Sequence, residues 1–256
     1  MLTEREGEPT IDSITASFRN CMQKILFTLL TFSSLFFLTS TSAMAKATFG
    51  PVTNGSVTTH FVVDDPAYYV TETAFTHSVP KGKNQILIVT STTAGAPEDV
   101  SMTYGGIPMT RGRSHGAGDY VYYSYWYLLN PPTGLHEIAA TFPLSGGRHY
   151  AAITMSNVDQ QVPFDEDAHI SGTASNPSLT VTTTKKNATV LYFLALGGYG
   201  ISFTPTDPTL YTVSTGYSNT GAMRQASSPG SVTVGGSITG SGFVWEFIAV
   251  PIRSAR

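Results

Sequence analysis

From Val57 onward the apolar positions recur mostly with a period of two, and no stretch carries the 3.6-residue period of an amphipathic helix. The pattern therefore predicts an all-β protein. Its strongest stretch, Tyr120 to Phe142, joins a run rich in Tyr, Trp and Leu to an alternating segment through Asn130-Pro131-Pro132-Thr133-Gly134, and reads as a β-hairpin. In the second arm Ile138, Ala140 and Phe142 share the apolar face. The first arm is apolar on both faces, so register decides what is buried. Pairing Leu129 with Leu135 places Trp126 beside Ile138 in the core. It leaves Tyr123, Tyr125 and Tyr127 half-exposed on the face of Glu137, where their hydroxyl tips tolerate water better than an indole does.

Around that stretch the pattern predicts strands at Val57–Val63, Tyr68–Val79, Gln85–Thr90, Val100–Tyr104, Ile107–Thr110 and His149–Met155, then at Leu179–Thr184, Ala188–Leu196, Leu210–Thr215, Ser231–Val234 and Phe243–Ile252. Gln85–Thr90 and Val190–Leu196 are apolar on both faces and are expected in the interior. Leu210–Thr215 and Ser231–Val234 read as edges. Gly105-Gly106 suits a tight hairpin turn, and Lys185-Lys186-Asn187 turns the next strand pair. Arg111–Asp119 and Gly197–Pro208 read as loops, and Asn157–Asn176 as a long polar connection. No internal repeat stands out. Ten or so short strands predict a two-sheet β-sandwich of jelly-roll or Greek-key type.

The segment before these strands changes the expected compartment. Lys24, the apolar run Ile25–Leu38 and Ala43-Met44-Ala45 form a secretory signal peptide, Met22–Ala45, preceded by an upstream extension, Met1–Cys21. The domain is then Lys46–Arg256, without a membrane span after cleavage, in the periplasm, at the cell surface or outside the cell. The only cysteine, Cys21, falls before the signal, which excludes disulfides and thiol chemistry from the domain. Charged residues make up 12% of the chain and the net charge is −3, about half the charged fraction of an ordinary protein. The surface is polar through hydroxyls and carries no basic footprint for nucleic acid.

Three strings, Tyr104-Gly105-Gly106-Ile107-Pro108-Met109-Thr110, Trp126-Tyr127-Leu128-Leu129-Asn130-Pro131-Pro132-Thr133-Gly134 and Val158-Asp159-Gln160 with Pro163-Phe164, resemble a β-sandwich module of uncharacterised secreted bacterial proteins. The resemblance implies an exported, lectin-like sandwich and supplies no catalytic residue.

Catalytic motifs are missing from the sequence. His136-Glu137 opens like the zinc-protease motif, but Ala140 stands where its second histidine belongs. No G-x-S-x-G elbow occurs. A sandwich glycoside hydrolase would need two carboxylates about 5–10 Å apart, and Glu72, Glu137 and Glu246 fall singly on different strands. Asp165, Glu166 and Asp167, with Asp159 nearby, are the candidate Ca²⁺ ligands, since hard oxygens on an irregular loop suit that ion. Against this stands an ordinary solvated acidic turn. Tyr123, Tyr125 and Tyr127 are the candidate ligand-binding face, because aromatic rings with polar tips suit sugars. The expected function is a non-enzymatic module binding extracellular or cell-surface polysaccharide. Its rival is a filament or matrix subunit that self-associates by adding Lys46–Val63 to a neighbour's sheet edge.

Overall fold

The structure is a computed structural model and describes residues 52–54, 57–63, 74–94, 101–117, 121–141, 147–198, 200–215 and 217–255, all within the compact unit Ala45–Arg256. The expected upstream extension Met1–Cys21 and expected signal peptide Met22–Ala45, Glu72 and the start of the predicted Tyr68 strand lie outside the described residues. The fold is all-β. The strands are β1 Val52–Asn54, β2 Val57–Val63, β3 Ala74–Val79, β4 Ile86–Ala94, β5 Ser101–Tyr104, β6 Ile107–Pro108, β7 Thr110–Ala117, β8 Val121–Leu129 and β9 Gly134–Thr141. They continue with β10 Gly147–Met155, β11 Ala168–Gly172, β12 Ser178–Thr183, β13 Ala188–Gly197, β14 Ser202–Pro205, β15 Thr209–Thr215, β16 Tyr217–Ala226, β17 Gly230–Thr239 and β18 Val244–Ile252. Among the described residues no helix is long and apolar enough to cross a membrane.

Four antiparallel sheets have the orders β3-β9-β5-β6, β1-β2-β10-β4-β8-β7, β11-β18-β13-β16-β15 and β12-β17-β14. Three apolar clusters lie between them, so the sheets stack in that sequence as four layers. Val79, Met102, Tyr104 and Ile138 meet Leu87, Val89, Trp126 and Tyr150 in the first cluster. Ile86, Ile88, Tyr123 and Ile153 meet Leu191, Phe193, Ile248 and Val250 in the second. Tyr192, Leu194 and Phe247 meet Val181, Phe203 and Val234 in the third. The two middle sheets are covered on both faces. That is why β13 is buried along its whole length and why Ile86–Val89, at the start of β4, is apolar on both faces. The outer strands alternate, as in β12, because one face meets water.

The two halves of the chain repeat one topology. Reading β2 to β10 against β11 to β18, with β5 and β6 together matching β14, the order β2-β10-β4-β8-β7 becomes β11-β18-β13-β16-β15, and β3-β9-β5 becomes β12-β17-β14. The sequence showed no such repeat. Across the middle seam β7 lies against β11 and β2 against β15. Under the equivalence these two contacts are the same contact seen from opposite sides, the mark of an approximate twofold. Asn84 before β4 and Asn187 before β13 occupy matching turns and both have positive φ, 51° and 57°, a conformation asparagine tolerates. A tyrosine ring also covers a cross-strand glycine in each half, the kind of pair that shields a bare strand backbone. Tyr125 on β8 lies over Gly112 on β7, and Tyr211 on β15 over Gly221 on β16.

Several expectations are corrected. Tyr120–Phe142 is not a hairpin: Leu129 pairs with Ile86, and Leu135 with Ser78. The proline turn crosses from the six-stranded sheet to the four-stranded one. Thr183 and Ala188 likewise end and begin strands of different sheets. The predicted loops contain β7, β11 and β14, and Ser231–Val234 belongs to the central strand of its sheet. Gly105-Gly106 is the expected tight turn, with φ of 56° and 79°.

Candidate functional site

At one end of the seam, residues of both halves meet. Asp167, just before β11, accepts hydrogen bonds from Arg113 Nε on β7 at 2.5 Å and from the Tyr125 hydroxyl on β8 at 3.0 Å. Arg113 Nη1 lies 3.2 Å from Nδ1 of His169 on β11. A guanidinium can only donate, so that ring nitrogen accepts and the imidazole carries its proton on Nε2. Burial, followed by the charge of Asp167, pushes the Tyr125 hydroxyl well above its ordinary pKa. It remains a donor at any physiological pH. The arrangement is a clasp between the halves, with every charged member facing a partner.

These contacts place the predicted residues. Tyr123 is fully buried and stacks on Phe193 with centroids 5.8 Å apart. Tyr125 is 4% exposed. Tyr127 is half-buried, with its ring edge-on to Phe164 at 4.8 Å. The expectation of a half-exposed tyrosine face is therefore corrected: the face points into the seam, which the sequence could not show because a second sheet covers it. Trp126 and Ile138 do share the first cluster, as expected. Asp165, Glu166 and Asp167 do not converge either. Asp165 accepts from Thr184 N and Oγ1 at 2.8 and 2.5 Å, Asp167 belongs to the clasp, and Glu166 points to solvent. No group of three or more His, Cys, Asp or Glu among the described residues is placed to hold a metal ion.

Two titratable groups lie deeper in the seam, where strand alternation turns them inward beside Ala151 and Ile248. Burial raises the Glu246 carboxyl on β18 to about 7 and lowers the His149 imidazole on β10 to about 4. The sequence pattern places Glu246 singly on a strand and His149 at the start of one. Their burial follows from the four-layer stack alone.

The chain matches no protein-family model, no curated protein and no solved structure. The functional reading therefore rests on surface chemistry. The outer face of β12-β17-β14 is the most regular surface described. Thr180 pairs with Thr233 and Thr182 with Ser231 on one side of β17, and Thr204 pairs with Ser237 and Ser202 with Thr239 on the other. All eight are exposed, and this outward row carries no charged side chain. Strand geometry sets the hydroxyls about 4.8 Å apart across strands and about 6.7 Å along them. Thr180 Oγ1 and Thr233 Oγ1 are hydrogen-bonded at 2.8 Å, and β-branching leaves threonine little χ1 freedom. That pair at the centre of the row is thus ordered before any ligand arrives. The signal was present in the alternation of Leu179-Thr180-Val181-Thr182 and Ser231-Val232-Thr233-Val234, once the outward side was known.

Proposed function

We propose that the chain is a secreted, non-enzymatic module that binds extracellular or cell-surface polysaccharide. The hydroxyl lattice on the outer face of the three-stranded sheet carries this reading. A neutral, ordered array of donors and acceptors complements the hydroxyl edges of a sugar chain, and pre-ordering reduces the entropy cost of binding. The interior carboxylates and histidines serve the fold, which fits a binding role better than hydrolysis. The expected result is saturable retention of residues 46 to 256 on a neutral polysaccharide array, weakened at least about fivefold by Thr180→Val with Thr233→Val, since losing two or three hydrogen bonds at about 0.5–1.5 kcal/mol each has that effect. Retention unchanged by the double variant would remove the lattice from the contact.

Assembly by strand addition is the second reading. Its support is β1, an edge strand of the six-stranded sheet with no counterpart in the second half. In such an assembly β2, which pairs with β10 of its own chain, would pair with a neighbour's β10 instead. Regular fibres in electron micrographs, abolished by deleting residues 46 to 63, would favour it over glycan binding.

A further inference from the structure

The chain has six lysines, and four of them, Lys81, Lys83, Lys185 and Lys186, fall on the two matching turns that precede β4 and β13. The connection between β10 and β11, residues 156–167, is a strap between the halves that passes between these turns. Asn157 N donates to Lys83 O at 3.0 Å and Val158 N to Asn84 O at 2.9 Å. On its other side the strap meets the C-terminal segment: Ala255 N donates to Asn157 O at 2.8 Å, and Ser254 Oγ donates to Lys186 O at 2.6 Å. Three such steps, each about 5 Å, put the turns roughly 15 Å apart.

The charge at this end runs against that of the chain. Lys81, Lys83 and Lys186 are exposed and form no ion pair among the described residues. Lys185 is half-buried and, with Arg253, adds to the backbone N–H groups of Val162 and Gln161 in holding the Asp159 carboxyl below its ordinary pKa. Arg253 also lies 3.9 Å from Asp165. Among the described residues the acidic groups shown to act on these five cations are Asp159 and Asp165, which leaves an excess of positive charge in a chain of net charge −3. Asp159 and Asp165 are already engaged, so the free charge is that of the exposed ammonium groups.

We infer that this lysine end is a second contact surface, for an acidic polysaccharide whose carboxylate or sulfate groups span the two turns. It rests on the glycan-binding reading for the class of polymer and on an independent set of residues for the contact. A protein with so few cations and no aromatic residue between the lysines does not suit nucleic acid. A repeating acidic sugar chain suits lysines borne on two separate turns, each acting as a flexible point charge.

The test is retention of residues 46 to 256 on polygalacturonate and dextran sulfate, with neutral dextran and vesicles of phosphatidylcholine and phosphatidylglycerol alongside. Retention on the acidic matrices should fall with salt, because exposed charges are screened. Replacing all four lysines by glutamine should weaken it on the order of ten- to a hundredfold, with K81Q/K83Q and K185Q/K186Q each giving part of the loss. The paired variants, checked for an unchanged melting temperature, guard against a misfolded quadruple variant. Acidic retention that ignores the lysines, no acidic retention at low salt, or capture by anionic vesicles alone would each overturn the inference. Loss of neutral retention with lysine-dependent acidic retention intact would instead sink the hydroxyl lattice and leave this surface standing.

Discussion

The seam predicts a pH response that is hidden in the native protein and exposed by either of two substitutions. Glu246 holds its proton up to about pH 7 in the fold against 4.5 for the free side chain. Between those values the folded state binds more protons than the unfolded one, so its contribution is fully present below pH 4.5 and is lost as pH rises to 7. His149 titrates at about 4 in the fold against 6.5 for the free side chain. There the unfolded state binds the extra proton, so the contribution is present above pH 6.5 and is lost as pH falls to 4. Each effect is about 3 kcal/mol at 1.36 kcal/mol per pH unit. Over the shared window the two slopes are opposite and nearly cancel. The native protein should therefore show almost level stability from these groups between pH 4.5 and 6.5. Glu246→Gln leaves the histidine slope alone, and the variant should lose about 3 kcal/mol on going from pH 7 to pH 4. His149→Gln leaves the carboxylate slope, and stability should rise by about the same amount from pH 7 to pH 4.5. Urea unfolding across this range measures both. If both variants keep the native pH profile, the two groups are not the buried pair that the stack makes them.

Other substitutions test the packing and the clasp. Gly221→Ala puts a methyl 2.3 Å from the Tyr211 ring and should cost at least about 1–3 kcal/mol in chemical denaturation. Tyr125→Phe removes the donor to Asp167 and should cost about 1.5–3 kcal/mol; no loss of melting temperature would mean that the clasp does not bind the halves. Trp126→Ala should cost about 3–5 kcal/mol through the cavity it leaves. Millimolar Ca²⁺ should leave the melting temperature unchanged, because binding would have to displace Arg113 from Asp167 and Thr184 from Asp165. A rise of several degrees would restore those carboxylates as ligands.

The all-β class, the buried runs at β4 and β13 and the Gly105-Gly106 turn were legible because each depends on local sequence. The sheet that a strand joins was not: Trp126 and Ile138 share a core through the stacking of two sheets and not through the hairpin pairing from which that was expected. A period of two tells faces apart but does not say what covers them, and a turn holding two prolines can cross between layers as well as close a hairpin. Strand β16, Tyr217–Ala226, escaped notice because the buried residues of its first half, Ser218, Asn219 and Thr220, are polar. Asn219 accepts from the Tyr211 hydroxyl at 3.2 Å, and Arg224 Nε donates to Asp207 at 2.8 Å. Those partners come from β15 and from the turn before it and leave no mark in the local pattern. The repeat did leave one, in Lys83-Asn84 and Lys186-Asn187, each opening an apolar run. Two such dipeptides carry meaning only after the topology makes them equivalent.

The strap that ties the two lysine turns to Ser254 and Ala255 sets the order in which the chain can finish folding. Synthesis proceeds from the N-terminus, so the first eight or nine strands emerge while their inner sheet still presents Ile86, Ile88, Tyr123 and Tyr125 to solvent. The surface that covers them includes Ile248 and Val250, and the bonds that lock the strap come from Ser254 and Ala255, which follow every strand of both halves. Until then the nascent first half carries a sticky aromatic sheet, the condition in which incomplete chains misassociate. A chain lacking Ser254 and Ala255 would leave the strap without these bonds. The fold thus makes two residues beyond the final strand a checkpoint for both halves.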